Sequence, residues 1–287
     1  VIFPTGLDSQ AKRMAGIMKL LGDTTSQTIG GQQRKWNIIL QNQLTIPNAY
    51  VRLAPLMSEL YMTPSQDNFS TGSLRWADNL IIHENRHMQQ FSNFNKGFTK
   101  VFSFLLGEEG QLLANGMTVP DYFFEGDAVW QETLVSAQGR GRMPSFYNGS
   151  YKDFTPDHYA LGYQLIAYGN EKYGAGFWSK ITNDAVRFKG VFYPFNRAIE
   201  RYSGKTYRQF SNDAMQYFKA KTLPAKSLAV TAFNYLTKEE KNNVVDYRFA
   251  GYISDDSIVV TKNPYKEVPA FYIISNGKET KLRVRDI

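Results

Sequence analysis

Apolar residues at Ala11, Met14, Ile17, Met18 and Leu21 recur at helical spacing, which predicts an amphipathic helix over 7–22 with Asp8 or Ser9 available as its cap. From 35 to 62 the texture changes to short runs, Trp36-Asn37-Ile38-Ile39-Leu40, Ala49-Tyr50-Val51-Arg52-Leu53 and Ser58-Glu59-Leu60-Tyr61-Met62, with Pro47 and Pro55 between them. These read as three strands of one small sheet. A polar loop over 63–72 follows, and Ser73 is placed to cap a long helix whose stripe runs Ala77, Leu80, Ile81, Glu84, Met88, Phe91. One carboxylate inside an apolar stripe is the first sign of chemistry. Two short helical pieces around 97–115 lead to Pro120, which opens a helix over about 121–137, closed by Gly139 and Gly141. Helical periodicity returns over 156–173, 175–183, 192–202 and 207–221. From Val244 onward the pattern alternates, with turn signals at Asp255-Asp256, Asn263-Pro264 and Asn276-Gly277. The fold class expected is α+β, with one domain over 1–240 and a β-strand segment over 241–287.

Composition narrows the chemistry. The chain has no cysteine, so disulfides, thiolate metal sites and a cysteine nucleophile are excluded, and any metal must rest on His, Asp or Glu. The net charge of +7 admits an anionic partner, but Lys and Arg are dispersed along the chain and no nucleic-acid motif accompanies them. No nucleic-acid partner is expected. Gln138-Gly139-Arg140-Gly141-Arg142 reads as a helix end followed by a basic loop rather than an anion cradle. No run of about eighteen apolar residues occurs, so no transmembrane segment is expected. Residues 1–4 begin no export signal, which places any such signal outside this numbering.

Residues 83–87 read His-Glu-Asn-Arg-His, the HExxH pattern. Residues i and i+4 share one helical face with Cβ atoms about 5–6 Å apart, so both imidazoles can reach one ion at about 2.0–2.1 Å. Glu84 borders that face, where it can take a proton from water at the ion. Two of the three histidines in the chain lie in this pentapeptide, which makes a chance match a poor explanation. Asn85 and Arg86 are the free positions, facing solvent or supporting the site. A catalytic zinc takes three protein ligands, and His158 and several carboxylates compete for the third place. Glu125, in Tyr122-Phe123-Phe124-Glu125-Gly126-Asp127-Ala128, lies near a helix start just before a glycine, which would let this helix approach the His83 helix closely. Glu132 falls two turns further along the same face, placed to receive a ligand histidine's second N–H.

Phe-Glu-Gly-Asp-Ala at 124–128 resembles the Glu-Gly-x-Ala element that follows HExxH in gluzincin metallopeptidases such as the alanyl aminopeptidase and leukotriene-hydrolase family. The resemblance implies a Zn2+ peptidase with His83, His87 and Glu125 as ligands and Glu84 as base. Tyr159-Ala160-Leu161-Gly162 resembles those enzymes' Tyr-x-Lys-Gly, with Leu161 in place of the lysine, and implies Tyr159 as transition-state donor. Tyr163, one turn later, is its substitute, and His158 is a pocket candidate. The nearer resemblance is to peptidase-MA-like proteins of the bacterial envelope, in which the catalytic domain can precede a WD40-like or TolB-like propeller. That implies a hydrolase of the periplasm or cell surface acting on a peptide or protein, with 1–240 as catalytic domain and 241–287 as the possible start of a propeller that continues beyond Ile287. Pro47-Asn48-Ala49-Tyr50-Val51 has no counterpart of the aminopeptidases' Gly-Ala-Met-Glu-Asn strand, which anchors a free amine, so cleavage of internal bonds is expected. The alternative is a non-catalytic envelope scaffold with a vestigial zinc site. The intact set of ligands and base speaks against it.

Overall fold

Periodic apolar residues close the first helix, α1 (Asp8–Thr24), whose buried Ala11 and Met14 pack against three short strands, β1 (Asn37–Gln41), β2 (Ala49–Arg52) and β3 (Met57–Tyr61). The computed structural model describes residues 1–24, 29–64, 74–135, 158–190, 192–222, 234–237, 243 and 245–283. The chain divides into two compact units, Val1–Pro144 with Pro156–Thr222, and Ser145–Thr155 with Leu223–Ile287. In the first, the strand order is β1-β3-β2, with β1 parallel and β2 antiparallel to β3. Ile2 bridges the outer side of β1, its N–H donating to the Ile38 carbonyl and its own carbonyl accepting from Leu40. That leaves β2 as the open edge among the described residues.

Beneath the sheet runs α2 (Trp76–Asn93), with Leu80, Ile81 and Met88 in the same core as Ile38, Leu40 and Leu60. Arg13 of α1 holds its first turn by donating from Nε and Nη2 to the two Asp78 oxygens at 2.7 and 2.6 Å. Arg75, not Ser73, occupies the N-cap position and makes no side-chain cap bond; Ser73 lies outside the described residues. This helix is covered nearly all round, and of the two readings of Asn85 and Arg86 the solvent-facing one fails: both are buried, and Arg86 donates to Asp127 of the fourth helix. Next comes α3 (Gly97–Thr118), whose two helical pieces are separated at Gly107 by a left-handed φ of 65°. Then α4 (Asp121–Val135) starts on Pro120, whose carbonyl accepts from Phe123 and Phe124. Gly139, Gly141 and the basic loop at 138–142 lie outside the described residues.

Four further helices complete this unit, α5 (His158–Tyr173), α6 (Phe177–Val186), α7 (Pro194–Ser203) and α8 (Tyr207–Thr222). Their core is aromatic: Phe123, Phe195 and Phe210 each pack on the Trp178 ring, whose indole N–H donates to the Ile166 carbonyl at 2.9 Å. Gly126 meets α5 and not α2, because a Cβ on it would collide with the Gly162 backbone, and one on Gly162 with the Tyr122 carbonyl. The two glycines let α4 and α5 cross backbone to backbone.

In the second unit β4 (Val245–Ser254), β5 (Ser257–Pro264), β6 (Ala270–Ser275) and β7 (Lys278–Lys281) form an antiparallel meander in a sheet of their own. Asn276 and Gly277, both at positive φ, make the β6–β7 turn. Asn263 and Pro264 still belong to β5, and the chain turns just after them. Among the described residues no helix is long and apolar enough to cross a membrane.

Candidate metal centre

His83 and His87 stand one turn apart on α2, their rings edge to face at 4.8 Å. Across from them α4 brings in Glu125. His83 Nε2 lies 3.1 Å from Glu125 Oε2 and 3.1 Å from His87 Nε2, and His87 Nε2 lies 3.5 Å from the same carboxylate oxygen. An ion at about 2.0–2.1 Å from each of three tetrahedral donors requires them about 3.3–3.4 Å apart. These three atoms form such a triangle, so the group could hold a metal ion.

Hydrogen bonds behind the imidazoles settle which nitrogens face inward. Glu132 Oε1 accepts from His83 Nδ1 at 2.6 Å. The Gln90 amide donates from Nε2 to the Phe124 carbonyl and to Asp127 Oδ2, at 3.0 and 2.9 Å, so its oxygen is the atom turned to His87 Nδ1, at 2.9 Å. Both Nδ1 atoms are therefore donors, and each Nε2 is the atom turned to the cluster. Asp127 is fixed in turn by Arg86, 1% exposed, which donates from Nε and Nη2 at 2.7 and 2.9 Å. This buried pair ties α2 to α4 where the ligands converge.

Burial works against a charged His83, but its hydrogen bonds to Glu125 and Glu132 outweigh it and push the imidazole up to about 10. Burial likewise works to raise Glu125, and the bonds from His83 and His87 overcome it and hold the carboxyl well below the usual range. Together these make a metal-free cluster with a proton on His83 Nε2, shared with Glu125. Glu84 is different: burial raises it, the neighbouring histidines offset this only in part, and its Oε2 has no hydrogen-bond partner among the described residues.

A cavity of about 330 Å³ opens over the cluster, lined by His83, Glu84, His87 and Glu125, by Ala49, Tyr50 and Val51 of the open strand edge, and by Tyr159. The Tyr159 ring, 37% exposed, sits 5.9 Å from that of His83. Tyr163 is buried against Trp130 and hydrogen-bonds Thr133, so it does not line the cavity. His158, the first residue of α5, is exposed and away from the cavity lining. Sequence reading missed Gln90 and Asp127; the spacing of Gln90, one turn after His87 on the same face, was the available signal. It also missed Asn115, a buried amide of α3 on the cavity wall. No protein-family model matches the chain, and no curated protein matches it.

Proposed function

We propose that this chain is a zinc-dependent peptidase of gluzincin type that hydrolyses internal peptide bonds, working outside the cytoplasm of a bacterium on a peptide or protein of the envelope. The observation that carries it is the triangle of His83 Nε2, His87 Nε2 and Glu125 Oε2, with both imidazoles locked from behind. Two imidazoles and one carboxylate without thiolate are the donor set of catalytic zinc. A zinc ion held there supplies a Lewis acid that acidifies water and polarises the scissile carbonyl. Glu84, which lines the cavity and has a raised pKa and one buried oxygen without a hydrogen-bond partner among the described residues, takes the water's proton as its oxygen bonds to the carbonyl carbon. When the C–N bond breaks, Glu84 returns that proton to the leaving amine. Tyr159 donates to the oxygen on which charge grows. The open edge of β2 offers backbone groups to an extended peptide beside the cluster.

Metal analysis with a peptidase assay tests this reading. One zinc per chain is expected, lost in His83→Ala and in Glu125→Ala. Glu84→Gln should keep the metal and lose hydrolysis, because only proton transfer is removed. Activity persisting in metal-loaded Glu84→Gln would sink the mechanism, and a metal-loaded parent without peptidase activity would favour the vestigial scaffold.

A further inference from the structure

The outward face of α3 is the least explained surface of the first unit. Phe98, Val101, Phe104, Leu105 and Leu106 of its first piece are all exposed, Phe104 at 88%. Beyond the sharp turn at Gly107, where a Cβ on Gly110 would meet the Phe102 carbonyl, Leu112, Leu113 and Met117 of the second piece are exposed as well. Solitary exposed apolar residues are ordinary, but five within the ten residues of this first piece are not, and such a density marks a contact surface. Cations surround its first piece. Lys100 lies exposed on it, and Arg187 packs against Gly97 while its neighbour Phe188 meets Phe98 edge-on at 4.6 Å; Lys96, just before the helix, is half-buried with its Nζ towards Gly30. None of these three cations has a carboxylate partner among the described residues. Residues 96–106 include no acid; Glu108 and Glu109 begin only past the kink.

We propose that this piece of α3 docks the protein on the surface of an anionic lipid bilayer. Apolar side chains projecting from a helix, with Lys and Arg level with their base, suit the boundary between acyl chains and anionic headgroups. A protein groove is a poorer fit for the same features, since Lys is depleted from protein interfaces and Phe104 projects as a wedge. Ten residues are also too few to span, so the helix lies in the interface. The inference rests on exposure and charge alone and is independent of the metal-centre reading.

Co-sedimentation of the full chain with vesicles tests it, comparing pure phosphatidylcholine with phosphatidylcholine containing phosphatidylglycerol. Binding is expected on the anionic vesicles and should weaken as salt is raised. Lys100→Glu should lower the vesicle affinity at least about five-fold, the value of one cation at such a surface. Phe104→Ser with Leu105→Ser should lower it at least about ten-fold. Both sites are exposed, so circular dichroism and metal content should match the parent. No binding to anionic vesicles, or binding that the variants leave unchanged, overturns the proposal. So does a stable dimer in solution that the Phe104/Leu105 variant dissociates, because a second copy would then cover the patch.

Discussion

Two carboxylates, Glu125 and Glu132, flank His83 and keep it protonated up to about pH 10, so a cation can be held there only when the Nε2 proton leaves. Metal affinity should therefore rise about tenfold per pH unit across the neutral range. Chelator competition at pH 6.5, 7.5 and 8.5 measures this, and a flat profile would show that no proton leaves the cluster as the cation binds. In the metal-free protein the sign is reversed. A pKa raised from 6.5 gives stability that is complete below pH 6.5 and lost as pH rises towards 10, so the chelated protein should melt lower at pH 9 than at pH 6. Tyr159→Phe should lower kcat by about 10²–10³ with zinc content unchanged. Tyr163→Phe, at a ring packed on Trp130 with its hydroxyl on Thr133 and away from the cavity lining, should leave kcat near the parent's. If the two results are exchanged, Tyr163 is the donor. The i, i+4 pairing of imidazoles is legible in sequence because it is local to one helix. Helical period alone also puts Tyr159 and Tyr163 on one face, but only the packing of α5 on α4 shows that one reaches the cavity and the other is buried.

Between elements, the position of Glu125 depends on how closely α4 is gripped on both sides. Arg86 and Gln90 of α2 hold Asp127, and Gly162 of α5 presses on Gly126. Gly126→Ala would force a methyl group into the α5 backbone, which has no flexible side chain to give way. Overpacking of this kind costs about 1–3 kcal/mol and sometimes more. We expect a lower melting temperature together with weaker metal binding, because Glu125 and Glu132 ride on the displaced helix. Normal affinity in a destabilised Gly126→Ala protein would show that the crossing does not set ligand geometry. The strands and helices themselves were readable from period and turn residues, and Gly107 breaks α3 where two pieces were expected. The partner of Gly126 was not readable: a glycine announces a close approach but not which helix approaches. Arg86 likewise reads either as a solvated charge or as a support of the site until Asp127 is known to stand opposite it, since a buried ion pair has no local pattern.

For the first unit as a whole, the sheet order decides, on the peptidase reading proposed above, how a peptide would enter. Alternation along 35–62 predicts three strands but not that β1 runs parallel to β3 and leaves β2 at the edge, because register is set by packing on α1 and α2. With Ala49, Tyr50 and Val51 on the cavity wall, the open edge contributes no carboxylate to hold a free amine. A chain can then lie along β2 with residues on both sides of the bond over the cluster. N-terminally blocked peptides should accordingly be cleaved at least as well as their free-amine counterparts. Among the described residues the wall carries one acid besides the cluster and Glu84, Asp121 at the start of α4, and its carboxylate is the alternative anchor for an amine. Asp121→Asn separates the two cases. If cleavage is internal, the variant should treat blocked and free peptides as the parent does. If blocked peptides resist the parent enzyme, and Asp121→Asn raises KM for free-amine peptides alone, the protein trims N-termini and Asp121 is the anchor.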